Sequence, residues 1–93
     1  MFTYSESPIF PARDLDLIAY AGLSAILGTD LNAKVCVGAG FVDVEVYSAR
    51  NYSKAVRAAK RVITCEEDSW ETCGEEFYII GNGTCITVSK LDW

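Results

Sequence analysis

The sequence predicts an α+β fold, a two-layer sandwich in which two helices cover one face of a four-stranded antiparallel sheet. The expected order is helix, hairpin, helix, hairpin (αββαββ), and three observations carry it. Val42, Val44 and Val46 alternate with Asp43 and Glu45, the period of a strand with one dry and one wet face. Tyr52, Ala55, Val56, Ala59, Val62 and Ile63 gather on one side of a helix, with Lys54, Arg57, Lys60 and Arg61 on the other. Asn82-Gly83 lies between two apolar runs and marks a hairpin, because both residues accept the positive φ of a type I′ turn.

Residues 1–12 come first and read as an extended arm. Pro8 and Pro11 hold their predecessors extended, and Phe2, Tyr4, Ile9 and Phe10 are expected to lie on the body. Asp14 can cap a helix over Leu15–Leu27 that Gly28 ends. Leu15, Ile18, Ala19, Leu23 and Ile26 form its stripe, while Leu17, Ala21 and Leu27 spread apolar surface around most of its circumference. One sheet face cannot cover so much, so either the arm or a second subunit is expected to cover the rest; the latter makes a homodimer through this helix.

Strands Ala33–Val37 and Phe41–Tyr47 flank Gly38-Ala39-Gly40, with Val35 and Val37 on the valine face and Lys34 opposite Glu45 or Asp43. The second helix runs over about Asn51 to Thr64. The last hairpin joins Phe77–Ile80 to Thr84–Ser89 and sets Ile79 against Ile86 and Phe77 against Val88. Val37-Gly38-Ala39-Gly40 is echoed by Ile80-Gly81-Asn82-Gly83, which suggests a duplicated unit. The link Cys65–Glu75 is then an acidic insertion relative to its shorter counterpart, Gly28–Asn32.

A chain of 93 residues, 51% hydrophobic and 23% charged, makes one globular domain with one modest core. Its start lacks both the cations and the apolar run of an export signal, and Leu15–Leu27 falls short of the roughly 20 residues that span a bilayer. A soluble cytoplasmic protein is expected. Cys36, Cys65, Cys73 and Cys85 lack metal spacing and there is no histidine, so the thiols are expected reduced, with no metal and no cofactor. The absence of histidine also removes Ser/His and Cys/His catalysis, and the glycine-rich turns sit within hairpins rather than between a strand and a helix. The expected protein is not an enzyme.

Charge is distributed unevenly. Arg50, Lys54, Arg57, Lys60 and Arg61 on the second helix hold five of the eight cations. The segment after them holds six of the 13 acids, Glu66, Glu67, Asp68, Glu71, Glu75 and Glu76, around Trp70. Glu66, Glu67 and Asp68 follow a helix C-terminus, where the macrodipole disfavours anions, and Trp70 is an interface anchor set among acids. Local costs of this kind mark functional surface.

Two readings follow from these charges. In the first, the acidic loop binds a protein with a basic, nucleic-acid-binding surface, which suits a net charge of −5 better than direct binding to nucleic acid. In size, charge and class the chain resembles phage-encoded inhibitors of host defence, including anti-CRISPR proteins. That resemblance implies a binding inhibitor acting in the host cell cytoplasm, blocking a nucleic-acid-binding complex at a cationic channel. In the second reading, a small nucleic-acid-associated or regulatory protein acts through the basic face of the second helix, as a dimer through the first.

Overall fold

The fold is described by a computed structural model over residues 2–28, 31–63, 70–73 and 76–90, with the backbone alone over 70–73. The chain runs β1 (Phe2–Glu6), α1 (Asp14–Leu27), β2 (Ala33–Gly38), β3 (Phe41–Val46), α2 (Ala49–Val62), β4 (Trp70–Cys73), β5 (Glu76–Gly81) and β6 (Thr84–Lys90). All six strands join one sheet in the order β1-β2-β3-β6-β5-β4. No helix among the described residues is long and apolar enough to cross a membrane.

The expected four-stranded antiparallel sheet is overturned, because the sheet is mixed. β1 pairs parallel to β2 and β3 parallel to β6, while β2–β3, β5–β6 and β4–β5 are antiparallel. The arm is the first departure: Phe2–Glu6 occupies the free edge of β2 instead of draping over the helices. The acidic segment is the second, since Trp70–Cys73 adds an edge strand to β5. The chain leaves β3 through α2 and re-enters the sheet at its far edge. The β4–β5–β6 meander then runs inward until β6 meets β3.

Within each hairpin the pairing follows residue chemistry. Lys34 lies opposite Glu45, Val35 opposite Val44, Phe77 opposite Val88 and Ile79 opposite Ile86. Asn82 (φ 54°) and Gly83 (φ 82°) supply the two positive φ values of the tight turn between β5 and β6. A Cβ on Gly83 would also stand 2.7 Å from Leu15 Cδ1, so this turn packs closely on α1.

One face of the sheet carries the core. Val35, Val37, Val42, Val44, Val46, Phe77, Ile79, Ile86 and Val88 are buried beneath Ala19 and Leu23 of α1 and Ala55, Ala58 and Ala59 of α2. The alanines let α2 lie close to the strands. Ser48 caps α2 by accepting a hydrogen bond from Asn51 N–H (3.2 Å), and Asn82 Nδ2 donates to Val62 O (3.1 Å) at the other end.

The outer side of α1 is left uncovered. α1 buries Asp16, Ala19 and Leu23, and Leu15, Leu17, Ile18 and Ile26 are exposed. From the arm, the Phe2 and Tyr4 rings pack beside the flanking Tyr20, with ring centroids at 6.1 and 4.7 Å, and Ile9 and Phe10 are themselves exposed.

The fold is pinned at one end by Asp16, whose side chain has no solvent contact. Its carboxylate accepts from Arg13 N–H (3.0 Å), Arg13 Nε (3.0 Å), Arg13 Nη2 (3.2 Å) and Gly40 N–H (3.1 Å). Arg13 Nη2 in turn donates to Gly83 O (2.6 Å). Burial alone would raise the Asp16 carboxyl, but Arg13, the nearby Thr84 hydroxyl and the Gly40 amide outweigh it and hold it well below the usual carboxylate range. The Thr84 hydroxyl contributes by proximity, since it is buried without a well-formed hydrogen bond.

Asp16→Asn is expected to lower stability by about 3 kcal/mol at pH 7, because it leaves donors facing a neutral amide. The Asp16 contribution is fully present above the ordinary carboxylate range and is lost as pH falls through the depressed folded value. Urea unfolding of both proteins at pH 7 and in acid should therefore show a gap that narrows as the pH drops.

Candidate binding surfaces

The face of the sheet opposite the helices bears no layer from the described chain, and strand register sorts its residues into rows. One row runs Ser5, Cys36, Asp43, Thr87, Tyr78 and reaches Glu71. The next runs Thr3, Lys34, Glu45, Ser89, Glu76 and reaches Cys73. Asp43, Glu45 and Glu76 thus occupy one open face, with Lys34 as the cation beside them. None of these three acids forms an ion pair among the described residues.

Their mutual effect appears at Asp43, which is half-buried. Burial pushes its carboxyl up, and repulsion from Glu45 and Glu76 pushes it further; the Thr87 hydroxyl offsets part of this. The surroundings of Asp43 therefore disfavour its charged form. Among the described residues no three His, Cys, Asp or Glu side chains lie close enough to share a metal ion. Cys36 and Cys85, on the same face, are free thiols.

The acidic segment singled out from sequence meets this surface at one side. Glu76 opens β5 and is exposed, while Trp70 and Glu71 stand in β4 in register with Ile79 and Tyr78. Glu66, Glu67, Asp68 and Glu75 lie outside the described residues, as does Cys65. Sequence reasoning missed Asp43 and Glu45 as site residues. The signal was the wet period of β3; what was missing was the parallel β3–β6 pairing that places them two strands, about 10 Å, from β5.

The cations lie on the other side of the molecule. Arg50, Lys54, Arg57, Lys60 and Arg61 are all exposed on α2, but the structure divides them. Lys60 sits 5.5 Å from the Phe77 ring centroid, at the edge of the core. Lys54, Arg57 and Arg61 rim a groove of about 410 Å³ between the helices, floored by Ile26, Leu27 and Ala58. None of these three is ion-paired among the described residues.

No protein-family model, no curated protein and no solved structure matches this chain.

Asp43→Asn is expected to stabilise the fold. A carboxyl with a raised folded pKa costs stability as pH rises from its unfolded value through its folded one, and the amide removes that cost. The variant should melt above the wild type at pH 7 and level with it in acid. A lower melting temperature at pH 7 would mean that the Thr87 interaction outweighs the repulsion.

Proposed function

We propose that this chain is a nonenzymatic protein-binding domain that lays its acidic sheet face, extended by the β4–β5 hairpin, against a basic surface of another protein. The observation that carries this reading is the unpaired cluster Asp43, Glu45 and Glu76, held together at a cost in stability on the uncovered side of the sheet. Carboxylates repelling one another contribute nothing to folding, and their energy is recovered when a cationic partner neutralises them. The surfaces that evolve to meet polyanions are those of nucleic-acid-binding proteins. On this reading the chain competes with nucleic acid for such a surface and inhibits the complex that bears it.

Two contributions are expected to separate. The acids act over a Debye length of about 8 Å at physiological salt and raise the encounter rate, whereas Trp70, in the register row of Ile79 rather than in either acidic row, supplies short-range burial to a partner that also wraps the β4 edge, which slows release. The neighbouring Glu66, Glu67, Asp68, Glu71 and Glu75 would extend the same field.

The test immobilises the chain, captures basic nucleic-acid-binding proteins from a bacterial lysate, and measures the kinetics of the captured species. Asp43→Asn, Glu45→Gln and Glu76→Gln combined should slow association by about tenfold at low salt and flatten its salt dependence. Trp70→Ala should mainly speed dissociation. Wild-type kinetics in the folded triple variant would sink the proposal. If Arg57→Glu with Arg61→Glu abolishes capture without altering the solution mass, the site moves to the basic face of α2.

A further inference from the structure

We infer that two copies of this chain associate about a two-fold axis, each laying the outer face of its α1 antiparallel on the other and filling the other's α1–α2 groove. The exposed side of α1 is almost wholly apolar. Leu17 is 38%, Ile18 68% and Ile26 42% exposed, with the exposed Ala21 and Ala25 on the same side. The charged residue on that side is Asp14, in the first turn, and the last turn carries no cation.

The face is lopsided in a way that matches its own reverse. Along the strip pointing furthest from the core, the large Leu17 and Ile18 lie in the N-terminal half and the small Ser24 and Ala25 in the C-terminal half, with Ala21 midway, while Ile26 lies to the side at the groove. A two-fold axis at Ala21 sets Leu17 of one copy beside Ala25 of the other, and Ile18 beside Ser24. Large meets small in both directions, as an isologous interface requires. Antiparallel helices also place opposite ends of their dipoles together.

The groove supplies the second line of argument. Its floor of Ile26, Leu27 and Ala58 lies level with the C-terminal turn of α1, where the antiparallel copy brings its N-terminal turn. Leu17 and Ile18 of the second copy cover the apolar floor, and its Asp14 reaches the rim of Lys54, Arg57 and Arg61. The three cations gain a counter-ion, and the apolar stripe leaves water. A second copy fits better than the other occupants of such a surface. Exposed isoleucines do not suit a phosphate backbone, and the net charge of −5 opposes an anionic membrane.

This association is independent of the acidic-face reading, since α1 lies on the opposite side of the sheet, and its test does not involve the cationic partner. Sedimentation equilibrium of the full chain, from about micromolar to about millimolar, reads it directly. The mass should rise from 10.2 kDa to twice that value. Leu17→Glu and Ile18→Glu, both at exposed positions, should each raise the dissociation constant by about tenfold or more with unchanged far-ultraviolet dichroism. Asp14→Lys should weaken association, and adding Arg57→Glu should restore it beyond either single variant, which a merely structural role for Asp14 would not do. A mass of 10.2 kDa throughout, or a dimer indifferent to Leu17→Glu and Ile18→Glu, overturns the inference. A monomer that binds phosphatidylserine vesicles and loses that binding in both variants overturns it too, and assigns the face to a membrane surface.

Discussion

The carboxylate of Asp16 is the contact through which separate parts of this chain find one another. It gathers the Arg13 guanidinium and the amide of Gly40, and Arg13 carries the link on to Gly83 O. Gly40 immediately precedes β3 and Gly83 immediately precedes β6. These two strands pair parallel at the middle of the sheet, and no turn joins them to fix their register. An antiparallel hairpin inherits its register from its loop, but a parallel pair must take it from elsewhere. Here the two turns are tied through Asp16 and Arg13, and Cys85 N–H donates to Gly40 O (3.1 Å) beside them. The same β5–β6 turn holds the end of α2 through Asn82, so both helices and both central strands depend on one buried charge.

That arrangement sorts charge by side. With the helices on one face, the residues alternating away from the core fall on the other, and β3 contributes Asp43 and Glu45 where β5 contributes Glu76. The cations of α2 stand on the helix side. Two carboxylates thus have opposite roles within one small domain. Asp16 is fully surrounded by donors and stabilises the fold in its charged form, whereas Asp43 is crowded by its own kind and opposes it. Burial pushes both carboxyls up; the difference lies in what each faces.

The sequence made the local elements plain and left the long-range ones hidden. The wet and dry period of β3, the apolar half of α2 and the turn at Asn82-Gly83 each follow from a few neighbouring residues, and the hairpin registers follow from them. β1 and β4 are short edge strands of five and four residues, too brief for period to separate them from an arm or a loop. The parallel β3–β6 pairing leaves no local trace, so the mixed sheet could not be read from hairpins alone. Asp16 was invisible for a different reason. It stands in the first turn of a helix beside Asp14, where an acid is ordinary, and only the folded chain shows which of the two is buried. For the site, Glu76 was legible as part of a charge run, but its company of Asp43 and Glu45 was not.

The separation of charge also decides which way two copies of this chain can meet. Sheet face against sheet face would bring the acids of both copies together, within the range over which salt screens poorly. Edge against edge at β1 or β4 would leave the apolar stripe of α1 in water. Meeting through α1 keeps the acids on the two outer sides, separated by both helical layers, and places the groove cations at the centre beside Asp14 of the other copy. That orientation would keep the acidic faces apart while covering the exposed Leu17, Ile18 and Ala21 of α1. Such a dimer presents two acidic faces pointing apart. It can hold two basic sites on one large target or in a repeating assembly, and the second contact forms at the high effective concentration set by the rigid body between them. On the proposed reading, the acids of each face need only be few, because binding strength would come from having the face twice.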